Sequence, residues 1–151
     1  MSETTPHRSY LSSVINCYCP RCRQGKLFKH PVSFSFKRNL EMYERCAICD
    51  QPTDIEVGFY YGTSYVSYLL AVVISAASFI AWWIIIGFSY ADNRFFWWIG
   101  FNAVLLIVLQ PWLMRFSRSL WISWFVKYDP DWPTKKPDHL ERIVEGQMNN
   151  W

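Results

Sequence analysis

Two long uncharged stretches interrupt an otherwise polar chain of 151 residues. The first covers residues 57–91, and its most apolar part, YVSYLLAVVISAASFIAWWIIIGF, covers residues 65–88. The second, FFWWIGFNAVLLIVLQPWLM, covers residues 95–114. A bilayer core is about 30 Å thick and needs about 20 apolar residues as a helix, so each stretch is predicted to span a membrane. Because the segment between them is short, the two helices are expected to be antiparallel neighbours.

The aromatic pattern continues past the second stretch, but basic residues enter it. RFSRSLWISWFVKYDP contains Arg115, Arg118 and Lys127. An arginine at the centre of a bilayer costs about 2.5–3.5 kcal/mol even on translocon-insertion scales. We therefore expect a helical extension that leaves the membrane at its surface, with both arginines at the lipid headgroups.

The hydropathy pattern divides the chain into seven predicted segments. They are a flexible N-terminus (1–16), a cysteine-containing domain (17–56), transmembrane helix 1 (57–90), a turn (91–94), transmembrane helix 2 (95–114), an interfacial helical extension (115–128) and a polar tail (129–151). The first thirty residues contain no long apolar run, so a cleaved signal peptide is not expected.

Basic residues near the helix ends predict the orientation in the membrane. The turn contains one of them, Arg94, and the flanks of the two spans contain four, namely Arg45, Arg115, Arg118 and Lys127. Because positive charge is enriched on the cytoplasmic side, both termini are predicted to lie in the cytoplasm.

Five cysteines lie in two short motifs, NCYCPRC and ERCAICD. Cys19 and Cys22 form one C-x2-C pair, and Cys46 and Cys49 form another, with twenty-three residues between the pairs. This spacing is typical of a four-cysteine zinc ribbon, in which each pair directs two thiolates at one tetrahedral ion. A reducing cytoplasm also disfavours disulfides between these cysteines.

The residues between the two pairs contain a weak strand pattern. Val32, Phe34 and Phe36 alternate with Ser33 and Ser35, as in a half-exposed strand. The predicted fold class is therefore a membrane protein with a small N-terminal zinc-ribbon-like β domain, a two-helix transmembrane hairpin and an interfacial helical extension.

The predicted cofactor is one structural Zn2+. A domain of about 40 residues buries too little surface to fold reliably unaided, and four protein ligands leave no open position for catalysis. Iron or another metal, and a redox dithiol site, remain as alternatives. Cys17 is the fifth thiol, and it is interpreted as a free thiol or as a reserve ligand or sensor.

Small residues mark a packing face on the first span. Gly58 and Gly62 form a G-x3-G pair, and Ser67, Ala71 and Ser75 continue the spacing of about four residues. Such residues let helices approach closely. The face is predicted to pack against the second span of the same chain, or against a partner protein or second copy.

Neither predicted span contains an ionisable residue of the kind that proton relays and ion pathways use. Chemistry within the membrane is therefore not expected. Two polar residues of the second span, Asn102 and Gln110, are predicted to form hydrogen bonds between the helices.

Four sequence blocks resemble those of a known family in their order and spacing. CPRCRQGKLF, ERCAICDQ, VGFYYGTSYVSYLL and RFSRSLWISWFVKYDP resemble the bacterial membrane-protein family known as domain of unknown function 983, and its Bacteroidetes members most, over about residues 19–130. The resemblance implies a small inner-membrane protein with a cysteine-knuckle region and two spans, and it assigns no activity. In some proteobacterial members of that family, the gene lies among those for cytochrome c oxidase subunits and assembly factors. Cys17 is an addition to the family pattern.

The function expected from these features is that of a non-catalytic adaptor, or an assembly or regulatory factor, for a larger membrane complex in the bacterial inner membrane. Its expected partners are the lipid bilayer and another membrane protein or a second copy, with no nucleic acid and no identified small-molecule substrate. One alternative is a membrane-anchored thiol redox or metal-delivery protein that uses Cys17, Cys19 and Cys22. The other is a membrane-tethered nucleic-acid binder, suggested by a local charge of +5 between Cys17 and Cys49.

Overall fold

The computed structural model describes residues 8–56, 58–87 and 93–137. Within them the chain forms four α-helices and one short 3-10 helix. They are α1 (Tyr10–Ile15), α2 (Phe36–Leu40), the 3-10 helix (Phe59–Gly62), α3 (Thr63–Ile86) and α4 (Arg94–Phe125). The continuous helical segments Phe59–Ile86 and Arg94–Phe125 are both long and apolar enough to cross a membrane.

Polar side chains join α3 and α4 in the middle of their antiparallel hairpin. The amide Nδ2 of Asn102 donates to Ser75 Oγ at 3.1 Å, and its Oδ1 accepts from Ser78 Oγ at 3.1 Å. Trp98 Nε1 donates to the same Ser78 oxygen at 3.3 Å. Polar groups in an apolar environment need such partners because no water is there to satisfy them. The predicted role of Asn102 is confirmed, whereas Gln110 is exposed.

The predicted packing face of α3 does contact α4. Ser67 Oγ donates to Ser117 Oγ at 2.7 Å, and Ser75 accepts from Asn102 as described above. Ala71 lies between these two serines and is half-buried. The serines therefore serve packing within the hairpin.

The two glycines of the same pattern have different roles. Gly62 lies against the indole ring of Trp121 so closely that a β-carbon would overlap the ring. Gly58 lies just before the 3-10 helix with a φ of 80°, in the left-handed region, and the atoms nearest its β-carbon position belong to the ring of Tyr61. That conformation costs glycine little and costs other residues more.

Helix α4 is one continuous element, and its second half carries the cysteine domain (residues 9–56). At 1.5 Å per residue its 32 residues measure about 48 Å, more than a bilayer core needs. Helices α1 and α2 both pack against α4, and Ile122 and Val126 share a buried core with the four knuckle cysteines. The predicted helical extension is therefore the support of the cysteine domain.

Arg115 does not reach outward to lipid headgroups, so that prediction was wrong. Its side chain is buried, and its guanidinium donates to the carbonyls of Asn39 at 2.9 Å, His30 at 2.8 Å and Pro31 at 2.9 Å. It also lies over the ring of Phe28. A guanidinium carries five donors, and the loop carbonyls that no strand satisfies are its acceptors.

Arg118 also contacts other parts of the protein and does not extend freely outward. It donates to the carbonyl of Leu40 at 3.0 Å and lies over the ring of Tyr60. The two arginines of α4 thus bind the cysteine domain through its backbone.

No β-strand forms in the described part of the cysteine domain, so the predicted β fold is not observed there. Three isolated bridges occur instead, Tyr18 with Lys26, Phe28 with Met42, and Arg45 with Pro52. In the segment predicted as a strand, Phe36 begins α2, and the Asn39 side chain accepts from Ser33 N–H at 3.1 Å. This bond closes a turn where an extended strand was expected.

The segment predicted to be a flexible N-terminus contains helix α1. Ser9 Oγ accepts from the N–H of Ser12 and begins the helix. Tyr10 and Ser123 share a hydrogen bond at 2.9 Å that ties α1 to α4. Hydroxyl groups in a polar segment gave no apolar signal that could predict this docking.

A first prediction concerns the contact between Gly62 and Trp121. Because a β-carbon would overlap the indole, Gly62→Ala should lower the free energy of unfolding by about 1–3 kcal/mol. Gly100→Ala is the matched control, since nothing lies within 4 Å of its β-carbon position. Thermal unfolding of both variants in the same detergent measures the difference, and equal midpoints would contradict the packing role of Gly62.

Candidate metal centre

Four cysteine sulfurs converge below the surface of the cysteine domain. The Sγ atoms of Cys19, Cys22, Cys46 and Cys49 all lie within 4.8 Å of one another, and each residue is at most 6% exposed. The distances from Cys19 to Cys49 and from Cys22 to Cys46 are both 3.7 Å. Sulfurs bound about 2.3 Å from one tetrahedral ion lie about 3.8 Å apart. This sulfur cluster can therefore hold a metal ion.

The first knuckle is shaped by the residues after Cys22. Arg23 has a φ of 57°, and its N–H donates to the carbonyl of Cys19 at 2.8 Å. The N–H of Cys19 donates to the carbonyl of Gly25 at 2.7 Å. A β-carbon on Gly25 would overlap the sulfur of Cys46, so this position has room only for glycine.

The second knuckle has a similar backbone, but its closing hydrogen bond spans one residue fewer. Asp50 has a φ of 56°, and its N–H donates to the carbonyl of Cys46 at 3.0 Å. The N–H of Cys46 donates to the carbonyl of Gln51 at 2.9 Å. The left-handed residue thus follows the second cysteine of each pair, at Arg23 and Asp50. Gly25 is not the left-handed residue of its knuckle, and it is required by its closeness to the sulfur of Cys46.

Backbone N–H groups and neighbouring thiols stabilise thiolates in the cluster. Hydrogen bonding from Cys19 lowers the pKa of Cys22, and the N–H of Gly25 lowers it further. Hydrogen bonding from Cys19 also lowers the pKa of Cys46 to about 6. Hydrogen bonding with Cys22, and to a smaller extent with Cys46 and Cys49, raises the pKa of Cys19. Four sulfurs this close cannot all be ionised without a cation among them, which is the charge that a bound metal supplies.

Cys17 lies apart from the sulfur cluster. Its backbone has a φ of 57°, and its thiol faces Ser119 of α4. Burial raises the pKa of Cys17 to about 11, so the thiol is protonated at neutral pH. Since the thiolate is the reactive form, this environment disfavours thiol chemistry at Cys17.

Arg21 lies between the two cysteines of the first knuckle and is almost fully buried. Its Nη1 donates to the carbonyl of Cys49 at 3.3 Å, and its Nη2 donates to the carbonyl of Lys135 at 2.7 Å. Nη2 also forms an ion pair with Asp129 at 3.2 Å. The beginning of the predicted polar tail is thereby attached to the metal centre. No local sequence pattern links Arg21 to residues more than a hundred positions away, so this contact is not predictable from the sequence.

The sulfur cluster packs directly on the end of α4. It shares one buried core with Ile55, Phe59, Ile122 and Val126. Ile122 is fully buried. The site is thus closed by four protein ligands and by apolar side chains. Such a centre can stabilise a fold, but it offers no open position to a substrate.

A second prediction concerns Gly25. Because a β-carbon there would overlap Cys46 Sγ, Gly25→Ala should remove most of the bound metal from the purified protein. Gln24→Ala, in the same loop, should retain it. Elemental analysis per chain measures both variants, and equal metal content would show that the knuckle tolerates a side chain at Gly25.

A third prediction separates the five thiols. Cys19→Ser should abolish metal binding, since it removes one of four converging ligands. Cys17→Ser should leave the metal content unchanged, because its sulfur lies outside the cluster. Elemental analysis after dialysis against a chelator is the measurement. A loss of metal in Cys17→Ser would make Cys17 a ligand after all.

Comparison with known proteins identifies no relative. No family model, no curated protein and no solved structure matches the chain. The resemblance to the domain of unknown function 983 therefore stays a prediction from the four sequence blocks.

Proposed function

We propose that the chain is a non-catalytic adaptor, or an assembly or regulatory factor, of a larger complex in the bacterial inner membrane. In this proposal a structural Zn2+ holds the cysteine domain folded on the end of a two-helix hairpin. The observation that carries it is the closed cluster of four buried sulfurs at tetrahedral spacing.

The number of ligands supports a structural site. Catalytic zinc sites keep one position open for water or substrate, whereas structural sites use four protein ligands. Here four cysteines converge and apolar residues of α4 cover them. A metal bound in this way contributes its binding energy to folding, which a domain of about 50 residues needs.

The attachment to α4 supports an adaptor. Arg115 and Arg118 bind backbone carbonyls of the cysteine domain, and Tyr10 binds Ser123. The domain and the helix are therefore joined as one body. A partner that binds the cysteine domain would be coupled mechanically to the membrane span, which is the property an assembly factor requires. Both termini are placed in the cytoplasm by this proposal.

Thiol redox or metal delivery is the second candidate. The observation that favours it is the 3.7 Å separation of free thiols in two pairs. Exchange, however, requires a sulfur that another thiol can attack. Cys19 and Cys22 are only 1% and 3% exposed, so this function would need the cysteine domain to open.

Nucleic-acid binding is weakly supported, because most basic side chains of the cysteine domain already have partners. Arg21 pairs with Asp129 and Lys29 with Glu41. Arg23 donates to the carbonyl of Arg8. Lys26, Lys37 and Arg38 remain exposed, which is less positive charge than the +5 that suggested this function.

A fourth prediction tests the adaptor. The protein purified from membranes in mild detergent should contain about one zinc per chain, as a closed four-cysteine site requires. It should also co-purify with a membrane protein or with a second copy of itself. Chelation should increase hydrogen exchange in the cysteine domain while leaving α3 protected, because the metal stabilises only that domain.

Each other outcome of this experiment contradicts a part of the proposal. Iron at the same stoichiometry would replace zinc as the metal. Reversible formation of disulfides in the purified protein, without metal, would favour the redox candidate. A metal-loaded monomer without any partner would exclude the adaptor.

A further inference from the structure

An apolar loop (residues 31–36) projects from the cysteine domain with its large side chains outward. Val32, Phe34 and Phe36 are 56%, 69% and 63% exposed. In a loop surrounded by water, side chains of this size normally turn inward, because their exposure is unfavourable. Three of them in alternate positions form an apolar surface that needs a partner.

The apolar loop lies beside α4 and forms a groove with it. The cavity between them measures about 330 Å3. Phe34 and Phe36 line one wall, and Ile107, Gln110 and Met114 of α4 line the other. The walls of the groove are predominantly apolar, and the amide of Gln110 is one of the few polar groups that line it.

The position of the groove along α4 indicates what surrounds it. At 1.5 Å per residue, Ile107 lies about 20 Å and Met114 about 30 Å from the start of the helix at Arg94. Because a bilayer core is about 30 Å thick, the groove lies within the last third of the spanning part of α4. Ile107 is 66% exposed, as a lipid-facing side chain would be. The apolar loop is therefore level with the hydrocarbon region.

The polar backbone groups of the apolar loop have hydrogen-bond partners within the protein, as the hydrocarbon region of a bilayer requires. Asn39, which is 1% exposed, accepts from the N–H of Ser33 at 3.1 Å and donates to the carbonyl of Pro111 at 2.9 Å. Arg115 binds the carbonyl of Pro31. Irregular backbone is tolerated at membrane depth only where protein groups satisfy it. Here polar groups turn toward α4 while apolar side chains face outward.

Two cations follow the loop at the start of α2. Lys37 and Arg38 are both exposed. Their long apolar stems let the charged groups reach the surface of a bilayer while the backbone lies deeper. Basic residues near that surface attract anionic headgroups. Charge and position together favour a phospholipid of negative charge.

We propose that the apolar loop is a third membrane-inserted element, and that its groove with α4 binds an acyl chain of an anionic phospholipid, with Lys37 and Arg38 attracting the headgroup. The inference rests on the proposed location of α3 and α4 in a membrane. The groove is continuous with the outward apolar surface of the two helices, so a bilayer lipid reaches it without crossing water.

The first test uses a photoreactive phenylalanine analogue at position 34 of the full chain in vesicles of phosphatidylcholine and phosphatidylglycerol. Mass spectrometry after illumination should detect a lipid adduct. The matched control places the analogue at Leu11, which is 68% exposed on α1. Its neighbour Tyr10 contacts Ser123, which lies twelve residues beyond Pro111 and thus about 18 Å farther along α4, past the spanning part. Leu11 should give no lipid adduct.

The second test concerns the charge. Lys37→Gln with Arg38→Gln should reduce the phosphatidylglycerol retained by the purified protein about fivefold for each charge removed, and should leave phosphatidylcholine unchanged. Lys135→Gln with Lys136→Gln is the control, since both residues are exposed cations outside the loop. Native mass spectrometry measures the retained lipid.

Three results would overturn the inference. They are an absence of adduct at position 34, an adduct to protein there instead of lipid, and an equal effect of the two double substitutions. Alkaline extraction of the unmodified chain separates this failure from that of the membrane location. If the chain stays in the membrane fraction without a lipid adduct, only the apolar loop is wrongly assigned; if extraction releases it, both proposals fall.

Discussion

The guanidinium of Arg115 binds three backbone carbonyls of the cysteine domain, and this contact determines how the two parts of the molecule fit together. A buried charge without partners would cost several kcal/mol. Hydrogen bonds to a charged group are stronger than neutral ones, at about 1.5–3 kcal/mol each, and here they offset that cost. The same side chain fixes the turn that Asn39 closes. One residue of α4 thus orients the apolar loop and the domain from which it projects.

The sulfur cluster depends on that orientation as well. Its core includes Ile122 and Val126, so the end of α4 forms one wall of the metal centre. Arg21 then attaches the chain beyond α4 through Asp129 and the carbonyl of Lys135. The cysteine domain is consequently folded between α4 and the segment that follows it, and a metal ion would stabilise both contacts together with the knuckles.

Sequence reasoning succeeded where a short local pattern determines the structure. The two C-x2-C motifs predicted which four sulfurs converge, and uninterrupted apolar runs predicted the helices α3 and α4. It failed where long-range contacts decide. The destination of Arg115 depends on carbonyls about eighty positions away. Gly58 and Gly62 look equivalent in a G-x3-G pattern, yet one serves a left-handed turn and the other the contact with Trp121.

The strand predicted at residues 32–36 is not observed, and the reason is physical. Alternation of apolar and polar residues predicts a strand when one face meets a core and the other meets water. In this loop the Ser33 hydroxyl accepts from the N–H of Ser35, and Val32, Phe34 and Phe36 are all exposed. The apolar residues of the alternation therefore face away from the core that a half-buried strand would cover. Opening the cysteine domain to release a metal would also break the contacts of Arg115 and leave its guanidinium and the loop carbonyls without these partners. The loop and the metal centre therefore depend on the same orientation of the domain on α4.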